Sequence, residues 1–412
     1  MITRETLRMT IFSASLAAGL VGCSPSERDF GGDAAFLAQH RDTIVLSDPA
    51  GKAKVAVVPA FQGRVMTSTA RGDKGTSFGF IKDELVASRD VKKHINPYGG
   101  EDRFWIGPEG GQFSIFFPPG APEQSLTHWQ TPAFIDTLPF TVTSKSPSSV
   151  SFNNRFQFSN ASGFAFDIDI ARTITLTDPA ALLAKAGLKP GDVDAVSYES
   201  HNVIKNMGKD WKPESGLLSI WILGMFKPSP TTAVIIPTNA DVAGTKAALN
   251  DKYFGEVPAD RLRIVSRTEG GGSAVLFKGD GLQRCKIGLK PAVTLPFIGS
   301  FDPARGVLTI VEFTFHHPDA PYVNSMWETK QASPYAGDVT NSYNDGPSAP
   351  GAAPFGPFYE LETSSPALAL SAGASGSHTS RTTHIQGDAA KLDAVCRSIL
   401  GVTLAQAQNV FE

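Results

Sequence analysis

The chain has 412 residues, 37 basic and 40 acidic side chains, and a formal net charge of -3. That balance excludes a nucleic-acid binder that relies on a basic face. A 41% hydrophobic content excludes a disordered chain, and three cysteines are too few for a disulfide-built scaffold.

In chain order, the first feature is an export signal. Arg4 and Arg8 precede an apolar and small-residue run from Met9 to Val21. The run is shorter than the ~20 apolar residues of a spanning helix, and it fits a signal-peptide core. It ends in Leu20-Val21-Gly22-Cys23, which resembles the lipobox of bacterial lipoproteins. That resemblance implies diacylation of Cys23 and cleavage before it. Two acyl chains make a stable anchor. The expected organisation is a signal peptide over 1–22, a lipid-anchored tether over 23–34, and one β domain over 35–412. Ser24, where an Asp would resemble an inner-membrane retention signal, points to the periplasmic face of the outer membrane.

A helix is expected over Asp33–His40, then strands at Lys54–Val58, Arg64–Thr69 and Phe113–Phe117. From Val150 to Leu176 apolar residues fall mostly on even positions, with Asn160-Ala161-Ser162-Gly163 in the middle. This alternation predicts a hairpin of long strands with one face on a core. Asp178-Pro179 and Gly187 bracket a helix over Ala180–Ala186. Leu217–Phe226 is almost continuously apolar and reads as a strand buried on both faces. Further strands are expected at Thr231–Ile236, Ala274–Lys278, Val307–Phe315, Phe358–Glu362 and Ala367–Leu370. Asp388 caps a helix running to Leu400, stopped by Gly401, and Thr403 starts a last one. The sum is an all-β chain, a large antiparallel β-sandwich with a few short edge helices. Cys285 and Cys396 either pair or remain two buried thiols.

Familiar catalytic patterns fail. Gly75-Thr76-Ser77-Phe78-Gly79 has the Gly-x-Ser-x-Gly spacing, but a polar loop precedes it and no helix follows. His316 and His317 are adjacent, so on a strand they point to opposite faces, and a zinc site is not expected. Three segments instead combine aromatic rings with carboxylates, amides and Arg. They begin at Tyr98, Tyr198 and Tyr322. Sugars suit this mixture, because their C–H faces stack on Trp and their hydroxyls bond to Asn, Asp, Glu and Arg. The candidate saccharide contacts are Arg103, Trp105, Glu109, Asn206, Asn324, Trp327, Asp345, Glu360 and Glu362. Each has a plainer reading. The tryptophans, Trp221 above all, belong to a core; Glu360 and Glu362 form a solvated face; Asn341, Asn344 and Asp345 shape a turn; Arg103 pairs with Glu101 or Asp102. Asn344, Asp345 and Glu360 also offer oxygen ligands for Ca2+.

Five stretches carry a wider resemblance: Val57–Val65, Tyr98-Gly99-Gly100 with Arg103 and Trp105, Asn202 with Asn206, Leu361-Glu362-Thr363 with Pro366, and Leu370–His378. In this order they resemble the galactose-mutarotase-like (aldose 1-epimerase-like) superfamily, and most closely its bacterial lipoprotein relatives of unassigned function. The resemblance implies a β-supersandwich with Glu362 at the position of the catalytic base. It departs elsewhere. The position of the superfamily's His acid is Met207, and that of its second sugar-contacting His is Tyr98. His201 or His128 would have to replace the acid. The first expectation is therefore a lipid-anchored envelope protein that binds a carbohydrate. The alternatives are a sugar epimerase with Glu362 as base and His201 as acid, and a structural envelope lipoprotein.

Overall fold

The computed structural model describes residues 27–411. The expected signal peptide and the lipidation site Cys23 lie outside the described residues. Strands dominate, and all their pairings within the sheets are antiparallel. A three-stranded sheet holds Ile44–Ser47, Lys54–Val58 and Arg64–Thr69. A ten-stranded sheet runs from Leu262–Ser266 at one edge to Thr141–Lys145 at the other. A six-stranded sheet runs in the order Leu249–Asn250, Cys285–Leu289, Thr340–Asn344, Tyr359–Ser364, Ser219–Phe226, Arg103–Gly107.

Strand alternation assigns the faces. In the ten-stranded sheet Val234, Ile236, Val275, Phe277, Ile298 and Val311 point inward, against Phe226, Ile287, Tyr359 and Leu361 of the six-stranded sheet. Their neighbours Ala233, Ile235, Ala274, Leu276, Leu308 and Ile310 point outward and are covered by helices Ala180–Ala184, Ala389–Val395 and Leu404–Asn409. The long hairpin forms as expected, with Ser149–Ser159 paired to Ala165–Thr177. Its inward residues Phe152, Ile168, Ile170 and Ile174 share a core with Phe104 and Ile222.

One inward position of the hairpin is an arginine. Arg172 is fully buried, and its Nη2 lies 2.5 Å from Asp102 Oδ1. Its Nη1 donates to Asn202 Oδ1 at 2.6 Å, and Ser200 Oγ donates to Asp102 Oδ2 at 2.7 Å. A charge pair is tolerable there because both ends are also hydrogen-bonded.

Several expectations need correcting. Phe113–Phe117 is an irregular loop, and Ala367–Leu370 contributes an isolated bridge at Leu368 rather than a strand. The first helix is Phe30–His40, capped by Asp29, so it starts inside the stretch read as tether. Ion pairs fix that stretch to the body: Glu27 to Arg305, Arg28 to Asp83, and Lys227 to Asp33. The helix after Asp388 is α-helical to Val395 and continues as a π-turn over Cys396–Leu400, ended by Gly401 at φ 77°. Cys285 and Cys396 are both buried free thiols.

Candidate functional site

The outer face of the six-stranded sheet carries an unusual set of side chains. Directly paired residues of antiparallel strands share a face. One cross-strand row is Arg103, Leu223, Glu362, Asn341; a second is Met225, Glu360, Tyr343, Lys286; a third is Trp105, Trp221, Ser364. All project away from the inter-sheet core. Five loops then wall this face. They bring Ile95 and Pro97, Leu126 and Trp129, Phe254, Trp327, and Phe355 over the sheet. The result is a cleft that opens to solvent.

Tryptophans make the walls. Trp105 and Trp221 meet edge to face at 5.5 Å between centroids, and Trp129 stacks on Trp327 at 5.8 Å. Phe116 and Phe117, in the loop expected as a strand, back Trp129 and Trp327. The indole N–H groups of Trp105 and Trp129 are buried without a partner. Trp221 is buried in the core, as expected, and also lines the cleft.

Charge is concentrated on the floor. Arg103 Nη2 bonds Glu360 Oε1 at 2.5 Å, and the Arg103 guanidinium lies 4.9 Å over the Trp105 ring. Lys286 Nζ bonds Glu362 Oε2 at 2.8 Å and sits over the Trp221 ring at 4.8 Å. The Trp221 indole N–H donates to the same Glu362 oxygen at 3.0 Å, and Glu362 Oε1 has no partner. Burial pushes the Glu360 carboxyl up, against the pull of Arg103, and the nearby Glu362 adds to the rise. Burial also raises Glu109, while Lys286 opposes it. Lys286 is shifted the other way from most buried lysines: burial lowers it, but Glu362 and Glu109 outweigh that and hold it charged.

The structure sorts the sequence candidates. Arg103, Trp105, Glu109, Trp327 and Glu360 line the cleft. Glu362 is fully buried one layer below its lining, beneath Lys286 and Trp221. Asp345 holds a wall in place: it accepts from Tyr343 Oη at 2.6 Å and from Gly356 N–H at 2.8 Å, closing the loop that carries Phe355. Asn206 and Asn324 do not join the site. Asn206 Nδ2 donates to Lys209 O and Leu370 O, and Asn324 Oδ1 accepts from Met326 N–H, so both satisfy loop backbone. His201 is exposed on the ten-stranded sheet and bonds Thr379, so it cannot serve Glu362 as an acid. His128 caps its own turn against Ser125, Met207 is 37% exposed at a strand end, and Tyr98 stacks on Phe61.

The oxygen donors named for calcium are not gathered. Asn344 lies on the sheet face opposite Glu360, and Glu360 is taken by Arg103. Among the described residues no group of three or more His, Cys, Asp or Glu is placed to hold a metal ion. The pair Glu360 and Glu362, for which a solvated face was the plain reading, is buried.

Two residues of the site carried no sequence signal. Lys286 and Arg284 sit on a five-residue strand and just before it. A lysine in a short strand reads as solvent-facing; only the pairing of Lys286 with Tyr343, and of Tyr343 with Glu360, reveals its place.

Fold and site together define an antiparallel β-sandwich protein with a tryptophan-walled, charged cleft on the outer face of one sheet. The chain belongs to the family of unknown function DUF6786, whose model matches residues 28–411. No curated protein matches it. Among solved structures it is similar to a candidate aldose 1-epimerase from Escherichia coli K12, at 12% identity over 83% of this chain and 98% of that one, with a TM-score of 0.48. It is also similar to a galactose mutarotase-like protein from Lactobacillus casei ATCC 334, at 14% identity over 83% and 100%, TM-score 0.47. A third is the Slr1438 protein from Synechocystis sp. PCC 6803, at 14% identity over 84% and 96%, TM-score 0.49.

Proposed function

We propose that this protein is a lipid-anchored component of the cell envelope that binds a carbohydrate in the cleft on the six-stranded sheet. One observation carries the reading: Trp105, Trp129, Trp221 and Trp327 converge on a single open cleft whose floor holds paired charges. Flat aromatic faces next to fixed donors and acceptors suit a ligand with apolar C–H faces and many hydroxyls. A thermal-shift screen of neutral and acidic mono- and oligosaccharides tests it. At least one should raise the melting temperature of the chain that starts after Cys23, and a flat response across the panel contradicts the reading. The anchor rests on Arg4, Arg8 and the Leu20–Cys23 lipobox. Labelled palmitate should enter the protein in cells and be lost in Cys23→Ala.

A second reading, acid–base chemistry on a bound sugar, is favoured by three carboxyl groups at the same floor. Glu109 and Glu360 face the cleft with raised pKa values. Glu362 lies beneath with one oxygen unpaired. In this reading the exchanging carboxyls are Glu109 and Glu360, which a ligand reaches directly, with Glu362 acting through Lys286. Polarimetry of fresh aldose solutions tests it: the reading requires faster mutarotation with protein, slowed in Glu360→Gln.

A further inference from the structure

Ion pairing in the cleft is incomplete. Of its three cations, Arg103 is held by Glu360 and Lys286 by Glu362. Arg284 has no such partner. Among the described residues no carboxylate lies within ion-pair distance of its guanidinium and no hydrogen bond engages its side chain; its Nε is buried and unpaired. The guanidinium is nevertheless fixed, lying 3.9 Å over the ring of Phe254, which itself lines the cleft. A stacked guanidinium still presents its edge and its N–H fork, the geometry that matches a planar carboxylate with two parallel hydrogen bonds. Glu109 shares the cleft and feels the charge of Arg284, which opposes the rise that burial causes in its pKa, but it stands outside ion-pair distance and leaves the guanidinium fork unoccupied.

Resting on the saccharide reading above, we propose that the ligand is an acidic saccharide, one bearing a hexuronic carboxylate, with Arg284 as the residue that receives that carboxylate. The sugar ring then lies against the tryptophan walls while its carboxylate reaches the Phe254 side of the cleft. Arg284 sets the preference for acid over neutral sugar; the tryptophans supply affinity common to both. An exposed guanidinium would bind small anions loosely and in any orientation. Stacking on Phe254 removes most of that freedom, so the carboxylate must arrive at one place relative to the walls. Phosphate and sulfate esters share the negative charge and also present two oxygens that a guanidinium fork can hold. The test separates them from a carboxylate.

The experiment is a tryptophan-fluorescence titration of the soluble chain with tetrasaccharides of galacturonate, mannuronate and glucuronate. Each is run beside its carboxyl-reduced neutral counterpart and beside galactose 6-phosphate and galactose 6-sulfate. At least one uronate should bind tenfold or more tighter than its neutral counterpart, with a gap that narrows as salt is raised. In Arg284→Met the acid-over-neutral ratio should fall to near one, and Arg284→Lys should restore only part of it. A melting curve of each variant shows that it is folded, as expected where no side-chain hydrogen bond of Arg284 among the described residues is lost. Equal binding of acid and neutral forms, or a ratio unchanged in Arg284→Met, overturns this inference and leaves saccharide binding standing. Preference for the phosphate or sulfate ester overturns the carboxylate assignment. No response to any saccharide overturns both.

Discussion

Lys286 covers Glu362: its Nζ is 2.8 Å from Oε2, and the carboxylate below is fully buried. The lysine thus separates Glu362, which the sequence resemblance alone puts at a base position, from any ligand in the cleft. This pair is a structural unit, and removing one member leaves the other buried and unpaired. Lys286→Met should cost about 3–5 kcal/mol, while Lys286→Met with Glu362→Leu should cost much less than the two single changes added together. Urea denaturation of the three variants measures it. Additive losses would show that the pair does not act as a unit.

Trp327 is half-buried, and its ring stacks on Trp129 at the open side of the cleft. Its loss should remove contact area from a ligand while sparing the deeper core. For any saccharide that binds, Trp327→Ala should weaken affinity about tenfold, or about 1.4 kcal/mol, with a near-native melting temperature. Calorimetric titration checks both, and unchanged affinity would place the ligand elsewhere.

Gly110 holds the Trp327 loop from behind. A Cβ there would stand 2.1 Å from the carbonyl oxygen of Met326, which is backbone and cannot swing aside. Gly110→Ala should therefore displace the segment next to Trp327. The expected cost is about 1–3 kcal/mol of stability, with weaker saccharide binding, although Gly110 does not line the cleft. Unfolding curves and binding titrations of this one variant test the coupling.

His378 supplies a pH dependence. It is fully buried, bonded through Nε2 to Thr363 Oγ1 at 2.9 Å, and its Nδ1 has no partner. Burial pushes its pKa down to about 3, from an ordinary 6.5. The folded state therefore keeps the ring neutral where the unfolded chain takes up a proton. The stability this residue contributes is full above pH 6.5 and is lost as pH falls toward 3, at about 1.4 kcal/mol per unit. Between pH 7 and 5 the wild type should lose about 2 kcal/mol more than His378→Gln. Equal losses in denaturant titrations at the two pH values would contradict the assignment.

Much of the fold was legible because strands write their faces into the sequence. The alternation over Val150–Leu176 gave the hairpin, and Lys54–Val58 and Arg64–Thr69 appear at the expected bounds. The spacing of Glu360 and Glu362 put that pair on one face, while the strand Arg103–Gly107 that carries Arg103 and Trp105 was not expected. The sequence did not reveal whether that face met water or a wall of loops. Phe113–Phe117 misled because its apolar run serves the cleft-side core through Phe116 and Phe117 without a partner strand. Asn206 and Asn324 misled because short amides bond nearby backbone as readily as a ligand. Lys286 and Arg284 stayed hidden because their roles depend on strands distant in sequence, which no local pattern encodes.

The most direct measurement of the central claim is 19F NMR of the protein labelled with 5-fluorotryptophan, titrated with whichever saccharide binds. Trp211 is the internal control, since it is buried against Phe166 and does not line the cleft. The account predicts that the resonances of Trp105, Trp129, Trp221 and Trp327 shift together along one binding curve while that of Trp211 stays in place. Shifts confined to Trp211, or binding that leaves all four cleft resonances unmoved, would contradict it.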